Sequence, residues 1–239
     1  MALFLRGAKK ERSFDDFPDV CSNGTRAVRR QADRNFAYDE ADRLSPSEDA
    51  MPFSGSGREW PTIRTERGPD LRIFRTRYDW VKNPRNGKTL QALILEASDW
   101  VNVVALTANG RIVAVRQYRF GAGKLSVEIP AGLVDPGETP LQAARRELQE
   151  ETGYAAEEWI PMGWSYANPA FLNNRAHHFL ARGARRTGDP HPEDGEDLEC
   201  DELTIDQARQ AIREGRMRNA MTLLALSKVF DMREAGENY

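Results

Sequence analysis

The chain has 239 residues, of which 40% are hydrophobic and 30% charged, with a formal net charge of −3. That balance excludes a general electrostatic attraction to nucleic acid or anionic membranes, and no apolar run approaches the roughly 20 residues that span a bilayer. Cys21 and Cys200 form neither a disulfide framework nor a zinc pattern, so a cytoplasmic protein is the default expectation.

Residues 1–58 carry as many basic as acidic residues, and their Leu, Ile, Val and Phe content falls below the roughly 20% at which a chain loses its capacity for a core. The run Ala2-Leu3-Phe4-Leu5 is too short for a signal-peptide core. Ser45-Pro46-Ser47 and Ser54-Gly55-Ser56-Gly57 read as linker. A low-order extension is expected over 1–58, and a folded domain over 59–239.

Leu71 to Tyr78 has strand character, Asn83 to Lys88 reads as a turn, and Gln91 to Glu96 as a second strand. An N-terminal β-hairpin is therefore predicted over about 71–96. Val101–Leu106 and Arg111–Gln117 flank Asn109-Gly110, a dipeptide that tolerates positive φ at both turn positions. Ser126–Ile129 is a further short strand. Trp159–Tyr166 and His177–Ala181 alternate weakly, which puts His177 and His178 on opposite faces of a strand. Helices are predicted over Asp206–Arg213, stopping at Gly215, and over Arg218–Arg233.

Between these lies the segment from Gly132 to Tyr154. Thr139, Pro140 and Gln142 form a capping box with proline at the first helical position, and Gly153 supplies a left-handed stop. Leu141, Ala144 and Leu148 make an apolar stripe beside Glu147, Glu150 and Glu151, which fall within an arc of roughly 100°. Like charges at this spacing repel, and a hard cation such as Mg²⁺ or Mn²⁺ turns that repulsion into coordination. Arg146 is placed to pair with Glu138 or Glu147. A solvated acidic helix face is the competing reading for the three glutamates alone.

The order Gly132, Glu138, Arg146-Glu147-Leu148, Glu150-Glu151, Gly153 resembles the Nudix box without a gap. Only Tyr154 departs, standing where a bulky aliphatic residue is usual. The resemblance implies a Nudix hydrolase with an α/β/α sandwich and a mixed sheet. It also implies Glu147 and Glu151 as direct metal ligands and Glu150 as an auxiliary one, with Gly132, Glu138, Arg146 and Gly153 as structural supports.

Further stretches resemble the ADP-ribose pyrophosphatase and nucleotide-sugar branch of that family. Glu128-Ile129-Pro130-Ala131-Gly132 is similar to its lead-in, which assigns the Ala131 carbonyl to the metal. Asn168-Pro169-Ala170 stands where the branch places a proline, usually followed by glycine, and so gives Pro169 a substrate-side place. Arg116-Gln117-Tyr118-Arg119 resembles a strand that gives Arg119 a phosphate or ribose contact, for which a planar guanidinium is suited. Within the acidic run Glu193 to Glu199, the resemblance puts the water-activating carboxylate on Glu196, with Glu193 as the alternative. Trp80, or less directly Trp100, suits base stacking, and Arg77 and Arg85 suit phosphates.

The expectation is therefore pyrophosphate hydrolysis of a nucleoside diphosphate sugar with two to three Mg²⁺ or Mn²⁺ ions, ADP-ribose giving AMP and ribose 5-phosphate. The resemblance also implies a homodimer in which the N-terminal element completes the partner's site. GDP-mannose, other nucleotide sugars, dinucleotides and a non-catalytic ADP-ribose sensor are the competing readings. An RNA substrate finds no basic stripe to support it.

Overall fold

The structure, a computed structural model, describes residues 58–192 and 195–232. Apart from Arg58, the expected extension over 1–58 lies outside these residues. The chain begins with β1 (Thr62–Asp70), β2 (Arg75–Lys82) and β3 (Thr89–Glu96), an antiparallel sheet in that order. The predicted hairpin is thus the second half of a three-stranded sheet.

Sequence reading missed β1 because charges occupy both of its faces and Gly68-Pro69 resembles a break. The break is instead absorbed by a register shift between Arg67 and Asp70. At Gly68 a Cβ would overlap the Thr76 side chain, and the Thr76 hydroxyl donates to the Pro69 carbonyl at 2.7 Å. Leu71 to Phe74, expected as strand, forms the connection instead. The Leu71 amide bonds the Phe74 carbonyl, and Arg72 takes a φ of 70° with its amide held by Asp70. The two apolar side chains that suggested a strand, Leu71 and Ile73, are exposed.

The remaining strands form one mixed sheet. They are β4 (Trp100–Thr107), β5 (Ile112–Arg119), β6 (Lys124–Glu128), β7 (Ala131–Leu133), β8 (Tyr154–Ala155), β9 (Glu158–Tyr166), β10 (Arg175–Arg186) and β11 (Leu198–Leu203). The order is β11-β5-β4-β10-β8, with β6 beside β5, β7 beside β4 and β9 beside β10. β4 and β10 run parallel, and the other pairs are antiparallel.

Helix α1 (Pro140–Thr152) covers one face, burying Ala143, Ala144 and Leu148 against Val103, Val113 and Phe179. Burial of a leucine such as Leu148 contributes about 1.5–3 kcal/mol. Helices α2 (Ile205–Arg213) and α3 (Ala220–Val229) cover the other face, over Val104, Ile112, Ile129 and Leu180. Alternation along β5, with Ile112 facing one core and Val113 the other, feeds both layers. This is the expected α/β/α sandwich.

Three boundaries differ from expectation. β10 runs well past Ala181 to Arg186; α3 starts after its cap Asn219 and ends at Val229, where Phe230 turns extended; and the acidic run enters β11 at Leu198. The histidines divide as predicted: His178 is buried with Nε2 2.9 Å from the Ser165 hydroxyl, while His177 Nε2 lies 3.0 Å from Asp99.

The joint between the two sheets, residues 95–99, is closed by the loop that follows β9. Leu95 donates its amide to the Phe171 carbonyl and forms a parallel bridge with Leu172. The Ala97 amide donates to Asn173 Oδ1, Asn174 Nδ2 donates to the Ser98 carbonyl, and the Arg175 amide donates to Asp99.

Candidate active site

The start of α1 is fixed by its capping box. The Thr139 hydroxyl accepts from the Gln142 amide, and the Gln142 side chain accepts from the Thr139 amide at 2.8 Å. Such a cap is worth about 1 kcal/mol. Its end is fixed by Gly153 at φ 72°, where a Cβ would also overlap the Gly188 carbonyl. The acidic arc of α1 is thereby held at one rotation.

Arg146 organises that arc. Its Nε and Nη2 take both oxygens of Glu138 at 3.0 Å, Nη2 also reaches the Leu133 carbonyl at 2.9 Å, and Nη1 bonds Glu147 at 2.8 Å and Glu150 at 3.0 Å. One guanidinium therefore ties the turn before the helix to two of its carboxylates. Glu138 is held below the usual carboxylate range by its bonds from Arg146.

Glu151 is 2% exposed, and its Oε2 accepts the Ala131 amide at 3.0 Å. Burial pushes its carboxyl well above the usual range, assisted by the charges of Glu147 and Glu196. Burial likewise raises Glu147, to about 7, although Arg146 opposes the shift. Glu147 packs against Gly132 so closely that a Cβ there would overlap its carboxylate. The Ala131 backbone lies on β7, opposite Asn102 of β4.

Among the described residues, no three His, Cys, Asp or Glu side chains converge closely enough to hold a metal ion as they stand. Arg146 takes oxygens of Glu147 and Glu150, and the Ala131 amide takes one of Glu151. Chemically the donor set fits a hard divalent cation. It is all oxygen, and desolvation raises two of its carboxylates, the partly buried Glu147 and the buried Glu151, above their ordinary range.

The acidic run contributes Glu196, just before β11, within electrostatic reach of Glu147, Glu151 and Arg119. Glu193 lies outside the described residues. Arg119, at the end of β5, makes a two-pronged bond to Glu128 at 3.0 and 2.7 Å and remains 39% exposed at its side chain.

The other substrate-side candidates lie on the N-terminal sheet and in the loop after β9. Trp80 lies on β2 beneath the Arg64 guanidinium, 3.7 Å from the ring centroid. Arg77 is engaged by Asp79 and Glu96. Pro169 is exposed in the loop that closes the joint. A groove of about 620 Å³ lies at the edge of the N-terminal sheet, between the residues before β1 (Arg58, Trp60) and the β2–β3 turn (Asn83, Pro84, Arg85).

Sequence reading gave Glu128, quoted only as part of the lead-in, and Asn219 no role of their own. Glu128 is 1% exposed, and its Oε2 accepts Asn219 Nδ2 at 2.8 Å in addition to Arg119. The signal available was a charged residue inside an apolar strand, Val127-Glu128-Ile129, which has to find a buried cation or donor. Tyr154 is also explained: its hydroxyl donates to Glu202 of β11 at 2.9 Å, a bond that the usual aliphatic residue cannot make.

The NUDIX domain family model matches residues 99–224. Over 172 residues the chain is 37% identical to a protein described as Methanol dehydrogenase activator from Bacillus methanolicus, covering 70% of this chain and 91% of that one. Over 174 residues it is 32% identical to an ADP-ribose pyrophosphatase of Mycobacterium tuberculosis, covering 72% and 83%. A crystal structure described as an ADP compounds hydrolase superposes with a TM-score of 0.64 at 20% identity, covering 74% of this chain and 95% of that one, a likeness of fold. With the family model spanning over half of the sequence and the box geometry intact from Gly132 to Gly153, the chain belongs to the Nudix family of hydrolases.

Proposed function

We propose that this hydrolase splits the pyrophosphate bond of a nucleoside diphosphate sugar, with ADP-ribose yielding AMP and ribose 5-phosphate. The observation that carries the reading is the burial of Glu147 and Glu151 beside Ala131, with Glu196 and Arg119 within electrostatic reach. Nudix hydrolases generally need a divalent metal, and two to three Mg²⁺ or Mn²⁺ ions bound here would neutralise the diphosphate and favour charge growing on its oxygens.

The residues that would hold the ions are Glu147, Glu151, the Ala131 carbonyl and, less directly, Glu150. Glu138 and Arg146 orient that set, while Gly132 gives Glu147 room and Gly153 ends the helix that carries it. Glu196 takes a proton from the attacking water, with Glu193 as the alternative base. Arg119 binds the diphosphate with donors that Glu128 leaves free.

Trp80 and Arg77 serve substrate from the N-terminal sheet of a second copy of the chain, and Pro169 serves it from the loop after β9. Exposed apolar side chains on that sheet, Ile63, Leu90 and Leu93 among them, support a homodimer. We read the enzyme as cytoplasmic from its proposed phosphorylated substrates; separately, no helix among the described residues is long and apolar enough to cross a membrane.

The test is incubation of the protein and its Glu151→Gln variant with Mg²⁺ and ADP-ribose, GDP-mannose, UDP-glucose, FAD or NADH, scoring nucleoside monophosphate. Cleavage of ADP-ribose that the variant lacks is expected. Preference for another member would reassign the substrate, and ADP-ribose binding without cleavage would make the protein a sensor.

A further inference from the structure

Three consecutive residues of β6 and its exit are each bonded to the segment that leads into α3 or to that helix's first turn. The Val127 amide donates to the Arg216 carbonyl at 2.9 Å, the Glu128 carboxylate accepts Asn219 Nδ2 at 2.8 Å, and the Ile129 amide donates to the Thr222 hydroxyl at 3.4 Å. The central bond is the unusual one. Glu128 is almost wholly buried, and an ionised carboxylate there is tolerated only with charge and hydrogen-bond partners on its oxygens. Both partners are specific: the Arg119 fork takes both oxygens, and Asn219 takes a further lone pair of Oε2.

Asn219 is at the same time the N-cap of α3, its Oδ1 accepting the amides of Met221 and Thr222. Its amide group is thus fully oriented, with oxygen toward the helix and nitrogen toward Glu128. A guanidinium has five N–H donors in a fixed fork. Glu128 takes the Nε edge of Arg119, which fixes the plane of the fork and leaves Nη1 unengaged by that pair.

We infer that Glu128 and Asn219 are positioning residues that hold the Arg119 fork in the orientation that binds the substrate diphosphate, making the cap of α3 a determinant of substrate affinity. The inference rests on the proposed role of Arg119 in pyrophosphate binding. It assigns to α3 a part in the site although that helix lies on the opposite face of the sheet from α1.

Asn219→Ser is the discriminating variant, because serine keeps a capping oxygen but has no amide to donate to Glu128. Its expected effect is a 3- to 10-fold rise in KM for the nucleotide sugar, with kcat within twofold and Tm within about 2 °C. In an Arg119→Lys background, where no fork remains to be oriented, the same substitution should raise KM by less than 1.5-fold.

Glu128→Gln should raise KM more than Asn219→Ser does and show the same loss of effect beside Arg119→Lys. Equal KM effects of Asn219→Ser in both backgrounds, or none in either, would overturn the inference. If the unaltered protein cleaves no nucleotide sugar, the reaction reading fails on its own account. The same four-protein cycle, read as calorimetric affinity for ADP with Mg²⁺, then decides the positioning claim.

Discussion

Gly132 and Glu147 are matched in space: the carboxylate occupies the volume that any Cβ at position 132 would need. Gly132→Ala must therefore displace either β7 or the Glu147 side chain. Overpacking of this kind costs about 1–3 kcal/mol, and the displaced group here belongs to the proposed catalytic set. Thermal denaturation should show that modest loss, while kcat should fall at least 100-fold. A variant with unaltered kcat would remove Glu147 from the mechanism.

The buried carboxylates give the metal-free protein a signed response to pH. Glu147 is raised from its ordinary value to about 7 by burial, so the unfolded chain releases its proton first as pH increases. Stability contributed by this group is complete below about pH 4.5 and is lost as pH rises toward 7. Glu151, raised for the same reason, acts in the same direction. In EDTA, the melting temperature should fall over that interval, and less steeply in Glu147→Gln. Added Mg²⁺ should raise it more at pH 8 than at pH 5.

His178 imposes the opposite slope. Burial lowers it from its ordinary value to about 4, helped by the charge of Lys228, and Ser165 bonds its Nε2. The unfolded chain takes up the proton first as pH falls, so this contribution is present above about pH 6.5 and lost on descent toward 4. His178→Gln should flatten the acid limb of a denaturation series run across pH 4–7. An unchanged limb would assign acid sensitivity to other groups.

Tyr154 and Glu202 join the end of α1 to β11. Burial and the Glu202 carboxylate raise the phenol to about 12, so it remains a donor throughout the working range. Tyr154→Phe should cost about 1 kcal/mol, the net value of one hydrogen bond, measured by urea denaturation. Because β11 follows the loop bearing Glu196, kcat should fall by no more than about threefold if that bond serves stability alone.

Tyr154 also shows where sequence reading stopped. The box was legible because its parts are local: Thr139 caps Gln142 three residues on, Gly153 ends the same helix, and Arg146 reaches Glu147 and Glu150 within four positions. Strands β4, β5 and β6 were legible as short apolar runs, the first two flanking Asn109-Gly110. What escaped was non-local or charged. β1 has no apolar face, and β11 hid in a run of acids because its partners, Arg116 for Glu199 and Arg111 for Glu202, lie more than 80 residues away. Glu128 needed Asn219, 91 positions on, to be understood.

The crossing of residues 95–99 by the loop 168–175 bears on how the protein can be cut. The family model begins at residue 99, but Leu95, Ala97 and Ser98 supply backbone partners to Phe171, Asn173 and Asn174. A fragment trimmed to that boundary would keep every box residue and yet leave the loop behind Pro169 with unsatisfied groups. The smallest faithful excision starts upstream of Thr62, so that β3 enters with the neighbours that order it. The seam between the two sheets is a splice, and it has to be expressed whole.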